Sequence, residues 1–219
     1  MSAVPAGVTL ILADNPSAMT LEGTNTWVLD DGTVIDPGPA DEAHLQAITA
    51  VTKIKRILIT HGHPDHTDGV EPLRDMTGAT VGELPPGMQE LKTPGHTADS
   101  VCFVIEGAVF TGDTILGRGS SVVAWPDGNV GDYLASLEKL QDFVSVPALP
   151  GHGPALPDCA AAARWLHGHR VERLEQVRAA LAQGATTPEE VVEIVYADVD
   201  PAVKWAALWS VRAQLDYLT

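Results

Sequence analysis

The chain has 219 residues, 45% of them hydrophobic and 19% charged, with 20 glycines and 16 prolines. That balance excludes disordered, collagen-like and coiled-coil chains and predicts a soluble globular protein with a sizeable core. Its 13 basic and 29 acidic side chains give a formal charge of −16, so bulk electrostatics oppose binding to nucleic acid or anionic membrane. The excess is uneven, −14 over residues 1–159 and −2 over 160–219, and part of it can neutralise bound cations. Cys102 and Cys159 lack C-x-x-C spacing, which fits a reducing compartment. The N-terminal stretch has no cationic start, and its apolar run closes at Asp14. No signal peptide or membrane span is expected, and the cytoplasm is the expected location.

Residues 8–13, 24–30 and 33–36 read as short strands, the last two joined through Asp30-Asp31-Gly32, which suits a tight hairpin. A helix is expected over 40–51, with His44 on its polar, solvent-facing side, followed by the strand Arg56–Thr60 that ends at His61. A helical stretch near 66–77 precedes strands at 88–93, 100–105 and 108–112. A helix over 131–142 is predicted with Asp132 as its N-cap, and Val144–Leu149 returns to strand. Mixed strands and helices imply a layered α/β sandwich.

Beyond residue 157 the strand signal stops. Asp158 caps a long alanine-rich helix ending near Gly184, Thr187-Pro188-Glu189-Glu190 is a capping box, and Asp200-Pro201 starts a third helix. The expected division is a catalytic domain over 1–157 and a small helical appendage over 158–219, whose contact face would carry Trp205 and Trp209.

The chemistry concentrates in Thr60-His61-Gly62-His63-Pro64-Asp65-His66, three imidazoles and a carboxylate directly after a strand. Alternation in extended chain projects His61 and His63 together, and the Pro64 bend can turn Asp65 and His66 toward a neighbouring point. Chance produces this spacing in about one of a thousand chains of such composition. Catalytic zinc sites combine nitrogen and carboxylate donors with an open position for water, and two ions need more than four donors. Further candidates stand beside glycines at strand ends: His96 after Gly95, Asp113 after Gly112, and His152 after Gly151.

This order of motifs resembles the metallo-β-lactamase superfamily. The resemblance implies an αββα sandwich with His61, His63 and His96 on one metal, Asp65, His66 and His152 on a second, and Asp113 bridging. Asn15–Thr26 and the stretch from Gly112 through Trp125-Pro126-Asp127-Gly128 to Leu137 are similar to the β-lactamase-like protein 2 branch, some of whose members are endoribonucleases. That branch implies a winged-helix type of appendage, here truncated, with His169-Arg170 near its start. The stretch between His66 and His96 is shorter than usual for the branch.

The expected activity is hydrolysis by water activated on two metal ions, zinc first, with iron or manganese suited to the same donors. Asp65 would orient the water or take its proton, and Asp36 would steady the metal loop through hydrogen bonds rather than bind metal. Branch resemblance points to single-stranded RNA as substrate. A small ester or thioester, as in glyoxalase II, is the alternative, with Arg164, Arg170 and Arg173 available for its carrier. Arg118 and His169 are candidate substrate contacts. A nucleic-acid-binding or regulatory module with incidental catalysis is the competing class.

Overall fold

The computed structural model describes residues 4–123 and 125–219. Its first sheet has the order β1 (Val8–Leu12), β2 (Asn25–Leu29), β3 (Thr33–Ile35), β4 (Arg56–Leu58) and β5 (Thr80–Val81). The first two pairings are antiparallel and the last two parallel. Helices α1 (Glu42–Val51), α2 (Pro64–Thr67) and α3 (Val70–Thr77) belong to the connections of this half. The second sheet runs β6 (Gln89–Lys92), β7 (Val101–Ile105), β8 (Ala108–Gly112) and β9 (Ala148–Pro150), antiparallel except for β8 with β9. Helix α4 (Val130–Leu140) connects β8 to β9, and α5 (Cys159–Ala182), α6 (Pro188–Val195) and α7 (Lys204–Leu218) follow.

Strand alternation explains the layering. Trp27, Leu29, Ile35 and Leu58 point inward and meet Phe103, Phe110 and Leu149 of the other sheet, with Trp27 and Phe110 edge to face at 6.2 Å. Their neighbours Val28, Val34 and Ile57 point outward, onto Leu45 and Ile48 of α1 and Leu73 of α3. On the other side, Cys102, Val109 and Ala148 face Tyr133 and Leu137 of α4 and Cys159, Ala163 and Leu166 of α5. Both faces of each sheet are thus covered, which is why the central strands read as apolar runs without solvent-facing residues. The result is an αββα sandwich, as the motifs implied.

The last part of α5 packs with α6 and α7 in a separate cluster around Val177, Val191 and Val211. The expected boundary at 157/158 therefore falls at the start of one continuous helix that serves both the sandwich and the helical cluster. Among the described residues, no helix is long and apolar enough to cross a membrane.

Several local expectations are corrected. Helix α4 is capped by Asn129, whose side chain accepts from the Asp132 amide at 3.0 Å, so Asp132 lies in the first turn. Both residues satisfy the cap preference, and Asn129 is the one in extended backbone, at φ −137° and ψ 131°, directly before the helix. His44 is 5% exposed rather than on the surface. Trp205 and Trp209 are 44% and 39% exposed and lie edge to face with each other. The buried side of α7 instead carries Ala206, Ala207, Ser210 and Val211. The strand expected over 144–149 is confined to Ala148–Pro150, and β5, fully exposed, had no hydrophobic pattern to betray it.

Candidate metal centre

The seven donors lie at one edge of the sandwich, where turns from both sheets meet. His61 follows β4, His63 caps α2, and Asp65 and His66 lie in its single turn. His96 occupies the turn between β6 and β7, Asp113 follows β8, and His152 follows β9. The two sheets are stitched together here: the Asn25 amide nitrogen donates to the Gly151 carbonyl at 2.7 Å. The Asn25 side chain and the Trp27 indole each donate to the Pro150 carbonyl at 3.0 Å. The Gly151 amide in turn donates to the Gly112 carbonyl at 2.9 Å, fixing His152 beside Asp113.

Ligand atoms of His61, His63 and His96 all lie within 4.8 Å of one another, as do those of Asp65, His66 and His152. A third overlapping group contains His61, His66 and Asp113. Asp113 spans the two trios, with Oδ1 3.5 Å from Nε2 of both His66 and His152 and Oδ2 3.8 Å from Nε2 of His96.

Partners behind the rings set which nitrogen faces inward. Nδ1 of His66 is 2.8 Å from Asp36 Oδ2, Nδ1 of His96 is 2.6 Å from the Val122 carbonyl, and Nδ1 of His152 is 3.1 Å from the Gly23 carbonyl. These oxygens only accept, so each Nδ1 carries the proton. The Thr60 hydroxyl donates to Asp36 at 2.7 Å and so accepts from His61 Nδ1 at 3.1 Å. Four Nε2 atoms are thereby turned inward, and His63 presents Nδ1. Asp36 also accepts from the Thr60 amide at 2.8 Å. It sits at φ 53°, and its carbonyl accepts from Thr26 Oγ1 at 2.6 Å. That hydroxyl then accepts from His44 Nε2 at 2.9 Å, so buried His44 braces the Asp36 turn.

Charges in the cluster balance one another. Burial opposes ionisation of Asp65, yet the His152 hydrogen bond and the His66 charge hold its carboxyl at about 2. Burial likewise works against the Asp113 carboxylate and is overcome by His152 and His66, which hold its carboxyl well below the usual range. Desolvation would lower His152, but Asp113 and Asp65 raise it to about 10. His66 is also raised against desolvation, by Asp36 and Asp113. His61 and His96 are lowered, chiefly by burial.

Curated proteins share this chain almost from end to end. It is 31% identical over 250 residues to the β-lactamase-like protein 2 homolog of Caenorhabditis elegans, covering 96% of this chain and 83% of that protein. The chain belongs to the metallo-β-lactamase superfamily. The superfamily's own sequence pattern matches residues 19–91, which include His61, His63, Asp65 and His66. A second relative, the atrochrysone carboxyl ACP thioesterase of Aspergillus chevalieri, is 32% identical over 240 residues, covering 92% of this chain and 77% of that protein. The crystal structure of a β-lactamase domain protein from Burkholderia ambifaria has the same fold, with a TM-score of 0.83 at 22% identity over 98% of this chain and 86% of that one. This chain is a hydrolase of the metallo-β-lactamase fold.

The residues present fit the divalent metal that the superfamily implies. His61 Nε2 and His63 Nδ1 are 2.9 Å apart, His96 Nε2 and His63 Nδ1 3.1 Å, and His66 Nε2 and His152 Nε2 3.2 Å. Ring nitrogens this close need a cation, a proton or a metal ion, between their lone pairs. Asp113 Oδ1 is buried without a hydrogen-bond partner. A Cβ built on Gly151 would stand 2.6 Å from both Asp113 Oδ1 and His66 Cε1, so only glycine leaves the space open.

The remaining candidates lie outside both trios. Arg118 pairs with Glu22 at 2.5 Å, both half exposed, at the rim of the groove beside His96 and Asp113. His169 stacks on Trp165 at 5.5 Å with 13° between the rings. Arg170 and Arg173, read as carrier contacts, are engaged within the fold. Arg170 is buried, donates to the Ser121 carbonyl and lies over the Tyr133 ring. Arg173 donates to the Val195 carbonyl at 2.6 Å and lies over Tyr196. Sequence reasoning missed that Arg170 braces the loop after Asp113: Ser121, which it holds, donates its hydroxyl to the Asp113 carbonyl. Thr24, too, escaped notice, although its hydroxyl donates to Asp65 at 3.3 Å. No spacing signal links such partners.

Proposed function

We propose that this chain is a metal-dependent hydrolase of acyl thioesters. In this reading His61, His63 and His96 hold one divalent ion, Asp65, His66 and His152 a second, and Asp113 lies between them, with zinc the first choice and iron or manganese suited to the same donors. Held there, two divalent ions would supply Lewis acidity, which makes water a stronger acid and polarises the carbonyl under attack. Water oxygen adds to the acyl carbon, the C–S bond breaks, and the products are a carboxylic acid and a free thiol.

Asp65 orients the water and receives its proton. It is the more accessible of the two inward carboxylates, with a side chain 29% exposed against 11% for Asp113, and Thr24 steadies the oxygen it turns toward His152. Asp36, Thr60 and the backbone carbonyls behind the rings keep the imidazoles turned inward. The metal-binding side chains all belong to the part through residue 157, and the helical appendage from 158 onward packs against it through the first half of α5.

The observation that carries the choice of thioester is the lining of the groove beside His96 and Asp113. Apart from Ser120 and Ser121 its walls are apolar, Ala18, Met19, Leu21, Leu116 and Val122, and its one cation among the described residues, Arg118, is already engaged by Glu22. An RNA strand requires several free cations along its path, whereas an acyl group requires apolar walls. The net charge of −16 and the thioesterase relative support the same choice.

The test is a panel of acyl thioesters and short single-stranded RNAs, with the protein metal-loaded, chelator-treated and carrying Asp65→Ala. Thioester hydrolysis should require metal and fall by about a hundredfold or more in the variant, with RNA left intact. Metal-dependent RNA cleavage without thioester turnover would select the endoribonuclease reading instead.

A further inference from the structure

Behind the 115–119 loop, against α5, lies a second cavity of about 280 Å³. Its walls are Ile115, Leu116, Leu156, Ala162, Trp165 and Leu166, and Arg118 is the one charged residue lining it. Leu116, Arg118 and Gly119 also line the groove that contains His96 and Asp113. The two spaces therefore share a wall that begins three residues after a candidate metal ligand.

We propose that this cavity is the subsite for the acyl chain of the substrate, so that the enzyme selects long apolar acyl groups over acetyl. The proposal rests on the thioesterase reading above and names the substrate class within it. Trp165 is 58% exposed, the most exposed of the described tryptophans, although α5 buries Ala163 and Leu166 on its inner side. Its ring is held flat against His169, so it offers a rigid apolar wall and little rotamer freedom is lost when a chain settles on it. His169 thus acts on the substrate only by backing Trp165. Arg118, tied to Glu22 and lining both spaces, marks where polar groups stop. A phosphate or sugar carried further would lose its water without gaining a partner, whereas each buried methylene improves binding about threefold to fourfold.

The experiment compares octanoyl and acetyl thioesters of one small thiol on the metal-loaded full chain, alongside calorimetric binding of the inert S-octyl thioether of that thiol. The octanoyl ester should be favoured in kcat/KM by about thirtyfold or more, well within the gain from six methylenes. Trp165→Ala, which removes a wall, and Ala162→Leu, which narrows the cavity, should each cut that ratio at least fivefold and weaken the thioether in parallel. Equal turnover of the two esters, or a preference that neither variant alters, overturns the subsite and leaves the thioesterase reading standing. Binding of the thioether that Ala162→Leu weakens, with no thioester hydrolysed, upholds the apolar subsite and overturns the thioesterase reading.

Discussion

Replacing Asp36 with Asn changes one charge and almost no volume, and its consequences can be worked atom by atom. Oδ1 of Asp36 accepts from the Thr60 amide, while Oδ2 accepts from both the Thr60 hydroxyl and His66 Nδ1. An asparagine keeps its carbonyl on the Thr60 amide and sets its NH2 where Oδ2 stood. The Thr60 hydroxyl can rotate and accept. His66 cannot adapt without cost: its Nδ1 must become an acceptor, which moves the ring proton to Nε2, the atom that faces His152 and Asp113. The lost charge-assisted bond should lower stability by about 2 kcal/mol. With Nε2 protonated, affinity at the Asp65, His66 and His152 trio should fall about 10- to 100-fold, equivalent to about 1.4–2.7 kcal/mol. Ion binding at His61, His63 and His96 should change far less. Competition titration against a chromophoric chelator resolves the two affinities, and urea denaturation of the metal-free protein gives the stability. Two ions bound with the affinities of the unmodified protein would refute the role given to Asp36.

Gly151→Ala places a methyl group 2.6 Å from Asp113 Oδ1 and His66 Cε1. Metal analysis should show loss of the second ion while circular dichroism retains the fold. Arg170→Met removes a buried guanidinium that donates to the Ser121 carbonyl, and urea denaturation should show a loss of about 2–3 kcal/mol. Because Ser121 also holds the Asp113 backbone, metal affinity should fall with it.

The sandwich was legible because each central strand alternates between two buried faces, and because strand ends carry glycine beside histidine or aspartate. The clustering of the candidate donors was legible for a related reason: spacing such as H-x-H-x-D-H is local, and a site able to hold metal has to crowd such side chains. What escaped depends on contacts distant in sequence. His44 reads as part of the polar side of α1, and its burial follows from Thr26, 18 residues away on β2. Arg170 reads as a free cation, and only its 49-residue contact to Ser121 shows it to be a brace. The tryptophan pair of α7 misled for the opposite reason. Size suggested core, but the small residues Ala206, Ala207 and Ser210 let that helix pack closely, leaving Trp205 and Trp209 at the surface.

The central claim is that donors from separate turns of two sheets hold a pair of divalent ions. Anomalous diffraction from metal-loaded crystals, read together with elemental analysis of the same protein, tests it most directly. Two ions per chain are expected, one among His61, His63 and His96 and the other among Asp65, His66 and His152, with Asp113 reaching both. Fully loaded crystals with no anomalous peak between these side chains, and hydrolysis that survives chelation, would contradict it.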